Sequence, residues 1–94
     1  MNKYEVLFIL KPNMEEEQRT QAVEKFKSII ESAGEVEKVD EWGLKKLAYE
    51  IEKLKEGYYY LIDFSASPEL PMELERNFRI SDAVLRFMVT RKEA

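Results

Sequence analysis

The sequence predicts an α+β fold in which a four-stranded antiparallel sheet carries two helices on one face. Segments with the two-residue alternation of a strand and segments with the spacing of a helix follow one another in the order βαββαβ. In the middle of the chain, residues 42–64 contain two alternating runs, 44–51 and 58–64, that are typical of a long β-hairpin. A charged segment that ends at Gly57 is predicted to join the two runs. Because crossovers are right-handed, both helices should lie on the same side of the sheet, which is the ferredoxin-like split βαβ arrangement.

Length and composition exclude several classes of function. The 94 residues are predicted to form one domain, residues 1–94. Cysteine and histidine are absent, which excludes disulfides, thiolate chemistry and the commonest general base. The early apolar run, residues 6–10, is too short for a signal peptide or a membrane span, so we expect a cytoplasmic protein without a membrane partner. The net charge of −4 argues against strong binding to DNA or RNA by the chain alone, because phosphate contacts need local positive charge.

The first strand and first helix follow from the N-terminal third. The strand is predicted over residues 4–10 and is apolar on nearly both faces, which favours a central position in the sheet. Asn13 is the predicted N-cap of the helix, with Glu16 in place for a capping box. Gly34 is predicted to end the helix as the residue after its C-cap. The apolar stripe of this helix is Ala22, Val23, Phe26, Ile29, Ile30 and Ala33.

The second and third strands form the predicted hairpin. The second strand begins at Glu35 and contains an irregularity near Gly43, since glycine within a strand pattern often marks a bulge. Asp63 in the third strand should point away from the core, because a lone carboxylate is expensive to bury. The residues that then face the helices are Tyr60, Ile62 and Phe64.

The second helix and the last strand complete the order. Ser67 is the predicted N-cap of the helix, followed by Pro68. The apolar stripe of the helix is Leu70, Leu74 and Phe78. The last strand, residues 84–91, is predicted to turn Leu85, Phe87 and Val89 inward and Arg86, Met88 and Thr90 outward.

The predicted topology leaves the sheet face opposite the helices uncovered. Apolar, aromatic and cationic side chains lie together there, a mixture that often marks a partner site. We call this surface the open face; its predicted members are Leu7, Ile9, Tyr59, Leu61, Arg86 and Met88. Taken singly, Leu7 and Ile9 are equally consistent with ordinary, partly exposed strand residues.

The sequence shows no pattern of a catalytic or metal site. No spacing of carboxylates or lysines indicates catalysis, and the acidic run at residues 15–17 belongs to a helix start rather than to a loop that could bind a cation. We therefore expect a protein that is not an enzyme and needs no cofactor. Sheets of this type also bind single-stranded RNA through a glycine–aromatic motif on the third strand. Glu56, Tyr59 and Asp63 depart from that motif and Tyr60 faces the core, so base stacking on this strand is a minor alternative.

Residues 42–51, Trp-Gly-Leu-Lys-Lys-Leu-Ala-Tyr-Glu-Ile, resemble the signature of the protein six family of the bacterial small ribosomal subunit. Three further stretches agree in the same order, at residues 4–12, 56–59 and 79–86, so the resemblance covers essentially the whole chain. It implies a ferredoxin-like fold and a non-enzymatic role. In that role the protein pairs with the basic protein eighteen of the same subunit and binds the central region of the small-subunit rRNA. The basic partner would supply much of the phosphate contact, which explains how an acidic chain can join an RNA assembly.

The resemblance also implies residues for each surface. Those expected near phosphate are Lys45, Lys46, Arg79, Arg86 and Arg91. Those expected in contact with the partner protein are Trp42, Leu47 and Tyr49, together with Tyr59 and Leu61 of the open face. Lys45 and Lys46 are adjacent in a strand, so only one of them can serve a given surface, and both would also suit a charged edge that blocks unwanted pairing.

The chain departs from the family pattern at two positions and in the length of its C-terminal tail. Leu44 stands where many relatives have a basic or polar residue, and Glu50 stands where they have a proline. Relatives often carry a longer C-terminal tail, whereas this chain ends at Ala94, so partner contact is expected to depend on the folded domain.

Two other functions compete with an RNA-binding subunit. A ferredoxin-like regulatory or small-ligand module would show a concave polar pocket or self-association through the open face. An acyl-phosphate hydrolase of the same topology would need an anion-binding loop with an arginine after the first strand. Residues 11–14, Lys-Pro-Asn-Met, offer no such loop, which ranks this function last.

Overall fold

A computed structural model describes residues 1–92 of the protein. The expectation about partner contact that was based on the chain end at Ala94 lies outside the described residues. In chain order, the elements are β1 (Asn2–Leu10), α1 (Glu16–Glu31), β2 (Gly34–Ile51), β3 (Leu54–Ala66), α2 (Leu70–Ile80) and β4 (Val84–Arg91). The strands lie in the order β2-β3-β1-β4, and each neighbouring pair is antiparallel. The predicted α+β ferredoxin-like class is confirmed, and so is the central position of the first and third strands. None of the helices within the described residues is long and apolar enough to cross a membrane.

Both helices pack on one face of the sheet, because their apolar stripes meet the inward side chains of the central strands in one core. The inward set predicted for β3 is confirmed, since Tyr60, Ile62 and Phe64 are buried. At the centre of the core, aromatic rings from five elements pack with centroid separations between 4.3 and 5.5 Å. These rings are Phe8, Phe26, Tyr60, Phe78 and Phe87.

Both helices begin two residues later than predicted. The N-cap of α1 is Glu15 rather than Asn13, and its backbone N–H donates to Oε1 of Gln18 at 3.1 Å. The predicted pairing of Asn13 with Glu16 is therefore wrong; residues 12–14 form a turn, and Arg19 fixes its end by donating to the Met14 carbonyl at 2.8 Å.

The start of α2 differs for a similar reason. Its N-cap is Glu69 rather than Ser67. The carbonyl of Ser67 accepts the backbone N–H of Leu70 at 3.1 Å, so Ser67 belongs to a turn that precedes the helix. The predicted stripe of α2 is nevertheless buried along its length, at Leu70, Leu74 and Phe78.

Gly34 begins β2 rather than ending α1, which corrects its predicted role. The C-cap of α1 is Ser32, and Ala33, the last residue of the predicted stripe, is exposed because the helix has already ended. A Cβ at Gly34 would overlap the carbonyl oxygen of Ser65 and would lie 2.8 Å from the Cα of Ala66. Glycine is required here by the close approach of two strands.

The hairpin of β2 and β3 is longer and more irregular than predicted. Extra residues in β2 shift its register between Val36 and Lys38, between Glu41 and Gly43, and between Lys46 and Ile51. The irregularity at Gly43 is confirmed, with a φ of 81°.

The hairpin turn is the residue pair 52–53, not a segment that extends to Gly57, because Ile51 already pairs with Leu54. Glu52 and Lys53 have φ values of 48° and 66°, the left-handed pair of a type I′ turn. Just before this turn, residues 47–50 of β2 face the single residue Lys55 of β3. We call residues 47–53 the hairpin tip.

A bulge in β4 corrects one inward residue. The register with β1 shifts between Ile9 and Leu10, which makes Leu85 the extra residue and removes it from the predicted inward set. The inward residues of this strand that pack against the core are Val84, Phe87 and Val89.

Candidate partner and nucleic-acid interface

The open face consists of two rows of directly opposed side chains. Residues that pair directly in antiparallel strands share a sheet face, so strand register decides which side chains meet. Met88, Leu7 and Leu61 form one row, and Arg86, Ile9 and Tyr59 form the next. The structure thus brings together all six residues predicted for this surface, on the side away from both helices.

The hairpin tip folds over one end of the open face. Beneath it lies a shallow cavity of about 210 Å³. The tip residues that line the cavity are Leu47, Ala48, Tyr49 and Ile51. Ile9 also lines the cavity and is only 7% exposed, so the interpretation of Ile9 as a partly exposed strand residue is wrong. Met88 is 58% exposed, which leaves the row of Met88 and Leu7 as the accessible apolar part of the surface.

Arg86 of β4 contacts Tyr49 of the hairpin tip. Its guanidinium donates a hydrogen bond to the Tyr49 hydroxyl and lies 5.3 Å from the centre of the Tyr49 ring. The Tyr59 hydroxyl donates to the carbonyl of Lys46 at 3.4 Å and so ties the base of the tip to β3. Tyr49 and Arg86 both remain exposed, so the guanidinium is accessible to a ligand from solvent.

Trp42 lies at the β2 border of the open face. It is the extra residue of the bulge before Gly43. Its indole stacks on Tyr59, with ring centroids 6.3 Å apart and planes inclined by 11°. The ammonium group of Lys45 lies 5.8 Å from the centre of the indole, which is still 45% exposed. The result is a supported aromatic surface beside a cation.

The residues predicted for partner contact therefore share one surface. Trp42 is stacked on Tyr59, and Leu61 lies in the row beside Leu7. Leu47, Tyr49 and Tyr59 line the same cavity.

The cations predicted near phosphate do not form one patch. Lys45 and Arg86 border the open face. Lys46 pairs with Glu56 and points to the other side of β2, because adjacent strand residues alternate.

The two remaining arginines lie on the helix side of the sheet. Arg79 belongs to α2, where its guanidinium is 3.4 Å from the carboxylate of Glu75 and 5.8 Å from the centre of the Phe87 ring. Arg91 lies near the end of β4 and donates to Oδ1 of Asn2 at 3.2 Å. These arginines cannot serve the same contact surface as Lys45 and Arg86.

Two carboxylates mark the other end of the open face. Glu5 and Asp63 are directly opposed in register, a pairing of like charges that is unfavourable in a sheet. The ammonium group of Lys92 lies 3.4 Å from Oδ1 of Asp63. This oxygen is buried and has no hydrogen-bond partner among residues 1–92. The prediction that Asp63 points away from the core is confirmed, and a lysine partly offsets its charge.

The groups with shifted pKa values do not converge on the open face. Burial raises the pKa of Tyr60, and a hydrogen bond and the charge of Arg19 oppose this shift. On α2, a hydrogen bond from Arg76 at 2.7 Å lowers the pKa of the exposed Glu73 carboxyl. Within residues 1–92, no group of three or more carboxylates is placed to hold a metal ion.

Sequence reasoning missed the fold-back of the hairpin tip. Ala48 and Ile51 line the cavity, although the strand pattern gave them no role. The four-to-one mismatch before the turn carries no glycine or proline, and the turn residues Glu52 and Lys53 are not the Asn-Gly type that usually marks a type I′ turn. No local signal in the sequence could therefore have located it.

Comparison with known proteins identifies the family. Residues 3–91 match the family model of ribosomal protein S6. The small ribosomal subunit protein bS6 of Clostridium novyi is 61% identical over 94 residues, and that of Alkaliphilus oremlandii is 56% identical over 93 residues, with 99% of each chain covered in both cases. The crystal structure of 30S ribosomal protein S6 from Thermotoga maritima matches with a TM-score of 0.92 and 39% identity, over 97% of this chain and 87% of that one. These relatives are structural ribosomal proteins, in agreement with the prediction that the chain is not an enzyme. On the family match, the relatives and the shared fold, the chain belongs to the ribosomal protein S6 family.

Proposed function

We propose that the chain binds the central region of the small-subunit rRNA as a heterodimer with the basic ribosomal protein eighteen. Membership in the ribosomal protein S6 family supports a structural role in the small ribosomal subunit. The small subunit is cytoplasmic, in agreement with the location that the sequence predicts. The open face is the observation that supports a protein partner.

The open face has the composition of a protein interface. Leu7, Leu61 and Met88 form an apolar row that the helices do not cover, and Met88 is largely exposed. Exposed apolar surface of this kind, rimmed by polar groups, is typical of partner sites. Here the rim carries Arg86 on one side and the carboxylates of Glu5 and Asp63 on the other.

The charge of the chain favours a basic partner. With a net charge of −4, the chain alone is repelled by RNA, whereas a basic protein is attracted to it. A basic protein on the open face would extend the positive surface begun by Lys45 and Arg86. Arg79 and Arg91 lie behind the sheet, so they can contact RNA only through a second surface.

A pair of matched methionine variants tests the partner surface. Met88→Glu places a charge in the apolar row and should weaken the heterodimer by about tenfold or more, because a buried, unpaired charge is costly. Met72→Glu is the control, since Met72 is 77% exposed on α2 and lies on the other side of the molecule. Titration calorimetry with protein eighteen measures both affinities. Equal affinity of the two variants would exclude the open face as the interface.

The same samples test partner dependence. Binding to an rRNA fragment should be weak for the chain alone, strong for the heterodimer, and should weaken in both cases as salt rises. Tight binding by the lone chain that is insensitive to salt would contradict the proposal.

The cavity beneath the hairpin tip does not favour a small-ligand module. The cavity beneath the hairpin tip, about 210 Å³, is smaller than the roughly 300–1,000 Å³ typical of small-molecule pockets. It is also lined mainly by apolar side chains rather than by convergent polar groups.

A further inference from the structure

The stack of Trp42 on Tyr59 has the geometry of a base-binding platform. Tyr59 packs nearly parallel to the indole in an offset stack, with ring centroids 6.3 Å apart, and the indole is still 45% exposed. The bulge at Gly43, whose φ of 81° suits glycine, sets Trp42 out from the regular strand. A supported, flat ring loses little freedom when a second flat group stacks on it.

Lys45 supplies the charge that an RNA strand requires. Its ammonium group lies 5.8 Å from the indole centre, at the end of a flexible side chain. Single-stranded RNA is commonly bound by aromatic rings that stack its bases beside cations that contact its phosphates. Trp42 and Lys45 together provide one unit of each kind.

The nearby acidic residues do not cancel this charge. Asp40 is paired with Lys38, with 3.5 Å between carboxylate and ammonium. Glu41 is paired in register with the inward-facing Tyr60, so it points to the helix side of the sheet. The ammonium group of Lys45 is therefore the cation beside the exposed indole.

Trp42 lies at the margin of the surface assigned to the protein partner, beside Tyr59 and away from the apolar row of Leu7, Leu61 and Met88. Trp42 does not line the cavity beneath the hairpin tip. It lies at the border of the open face, where RNA could approach beside a bound protein.

We infer that Trp42 stacks an unpaired base of single-stranded RNA, with Lys45 on the adjoining phosphate. This inference rests on the proposed function, because it takes RNA as the ligand, and it assigns to Trp42 a contact with RNA instead of the protein contact that the family resemblance implies. It places base stacking on the β2 border of the sheet rather than on the third-strand motif rejected above.

The fluorescence of Trp42 tests the inference directly, because it is the only tryptophan of the chain. The full chain is titrated with a single-stranded oligouridylate to concentrations well above about 0.1 mM, the weak end of non-specific binding, so that weak binding by the lone chain is also measured. The salt is about 0.1 M, where screening over about 10 Å reduces repulsion by distant acidic groups. Saturable quenching is expected. An abasic oligonucleotide of the same length carries the same phosphates without bases and should not quench. Absence of quenching by oligouridylate, or equal quenching by the two, overturns the inference.

Variants extend the test to the assembled complex. In the heterodimer with protein eighteen, Trp42→Leu should lower affinity for an rRNA fragment by between about fivefold and about a hundredfold, the range for loss of one stacked base. Trp42→Phe should retain most of the affinity, because a ring remains. Leu44→Ala, a change at an exposed neighbour that pairs with Tyr58 on the other side of β2, should have little effect.

Two outcomes distinguish this inference from the proposed function. In the first outcome, protein eighteen alone shifts the Trp42 emission to shorter wavelength, and Trp42→Leu weakens the heterodimer but not its affinity for RNA. Trp42 is then a protein contact, so the inference fails while the proposed function stands. If the heterodimer does not bind rRNA, the proposed function fails, and quenching by oligouridylate against the abasic control still decides whether Trp42 stacks a base.

Discussion

Replacement of Lys53 by glycine should stabilise the protein. Lys53 has a φ of 66°, in the left-handed region that costs a residue with a Cβ about 1–2 kcal/mol. Glycine removes this strain but gives the unfolded chain more freedom, at a cost of about 0.5–1 kcal/mol. Taken between the midpoints of the two ranges, the difference is a gain of about 0.75 kcal/mol in the free energy of unfolding, equivalent to a rise of about 3–6 °C in Tm for a domain of this size.

Urea denaturation and calorimetry of Lys53→Gly measure this gain. The matched control is Lys55→Gly, two residues further on in β3, where glycine should destabilise the strand by about 0.5–1 kcal/mol. The two variants should therefore change stability in opposite directions, with similar dependence on urea. If Lys53→Gly is no more stable than Lys55→Gly, the type I′ turn at residues 52–53 is refuted.

Two further predictions concern the core and its edge. Gly34→Ala should lower the free energy of unfolding by about 3 kcal/mol, because its Cβ would overlap backbone atoms of β3. Gly43→Ala should lower it by about 1–2 kcal/mol, from backbone strain alone. Chemical denaturation should rank the two variants in this order, and the reverse order would contradict the close strand approach at Gly34. Burial raises the pKa of Tyr60 above its ordinary value of 10.0, so the stability that this hydroxyl contributes is complete below pH 10 and is lost as pH rises through its pKa in the folded protein. The unfolding free energy of the native chain should consequently fall more steeply above pH 10 than that of Tyr60→Phe, and parallel curves would exclude this contribution.

Periodicity in the sequence predicted the architecture because the buried residues repeat regularly. The alternation in β1 and β3 and the stripe of Leu70, Leu74 and Phe78 follow directly from which side chains must leave water. The open face was predicted on the same basis, since the phase of each strand also determines its outward residues. Element ends were less predictable. Asn13 and Ser67 are favourable caps by residue type, but turns held by Arg19 and by the Ser67 carbonyl moved both helix starts.

The remaining differences arise from contacts between strands. Gly34 resembles a helix terminator in sequence, and only the approach of Ser65 and Ala66 shows why glycine is needed there. The grouping of Trp42 with Tyr59 depends on register and bulges that a single strand does not encode. The separation of Arg79 from Arg86 arises because α2 packs on the opposite face of the sheet.

The central position of β1 has a consequence for folding kinetics. β1 pairs on one side with β3 and on the other with β4, so Tyr4 is opposite both Phe64 and Arg91, far along the chain. Such distant pairings require long loops to close before they stabilise anything, which slows folding relative to helical proteins of similar length. Until both partners arrive, a strand that is apolar on nearly both faces has unpaired edges, and this makes β1 prone to intermolecular association.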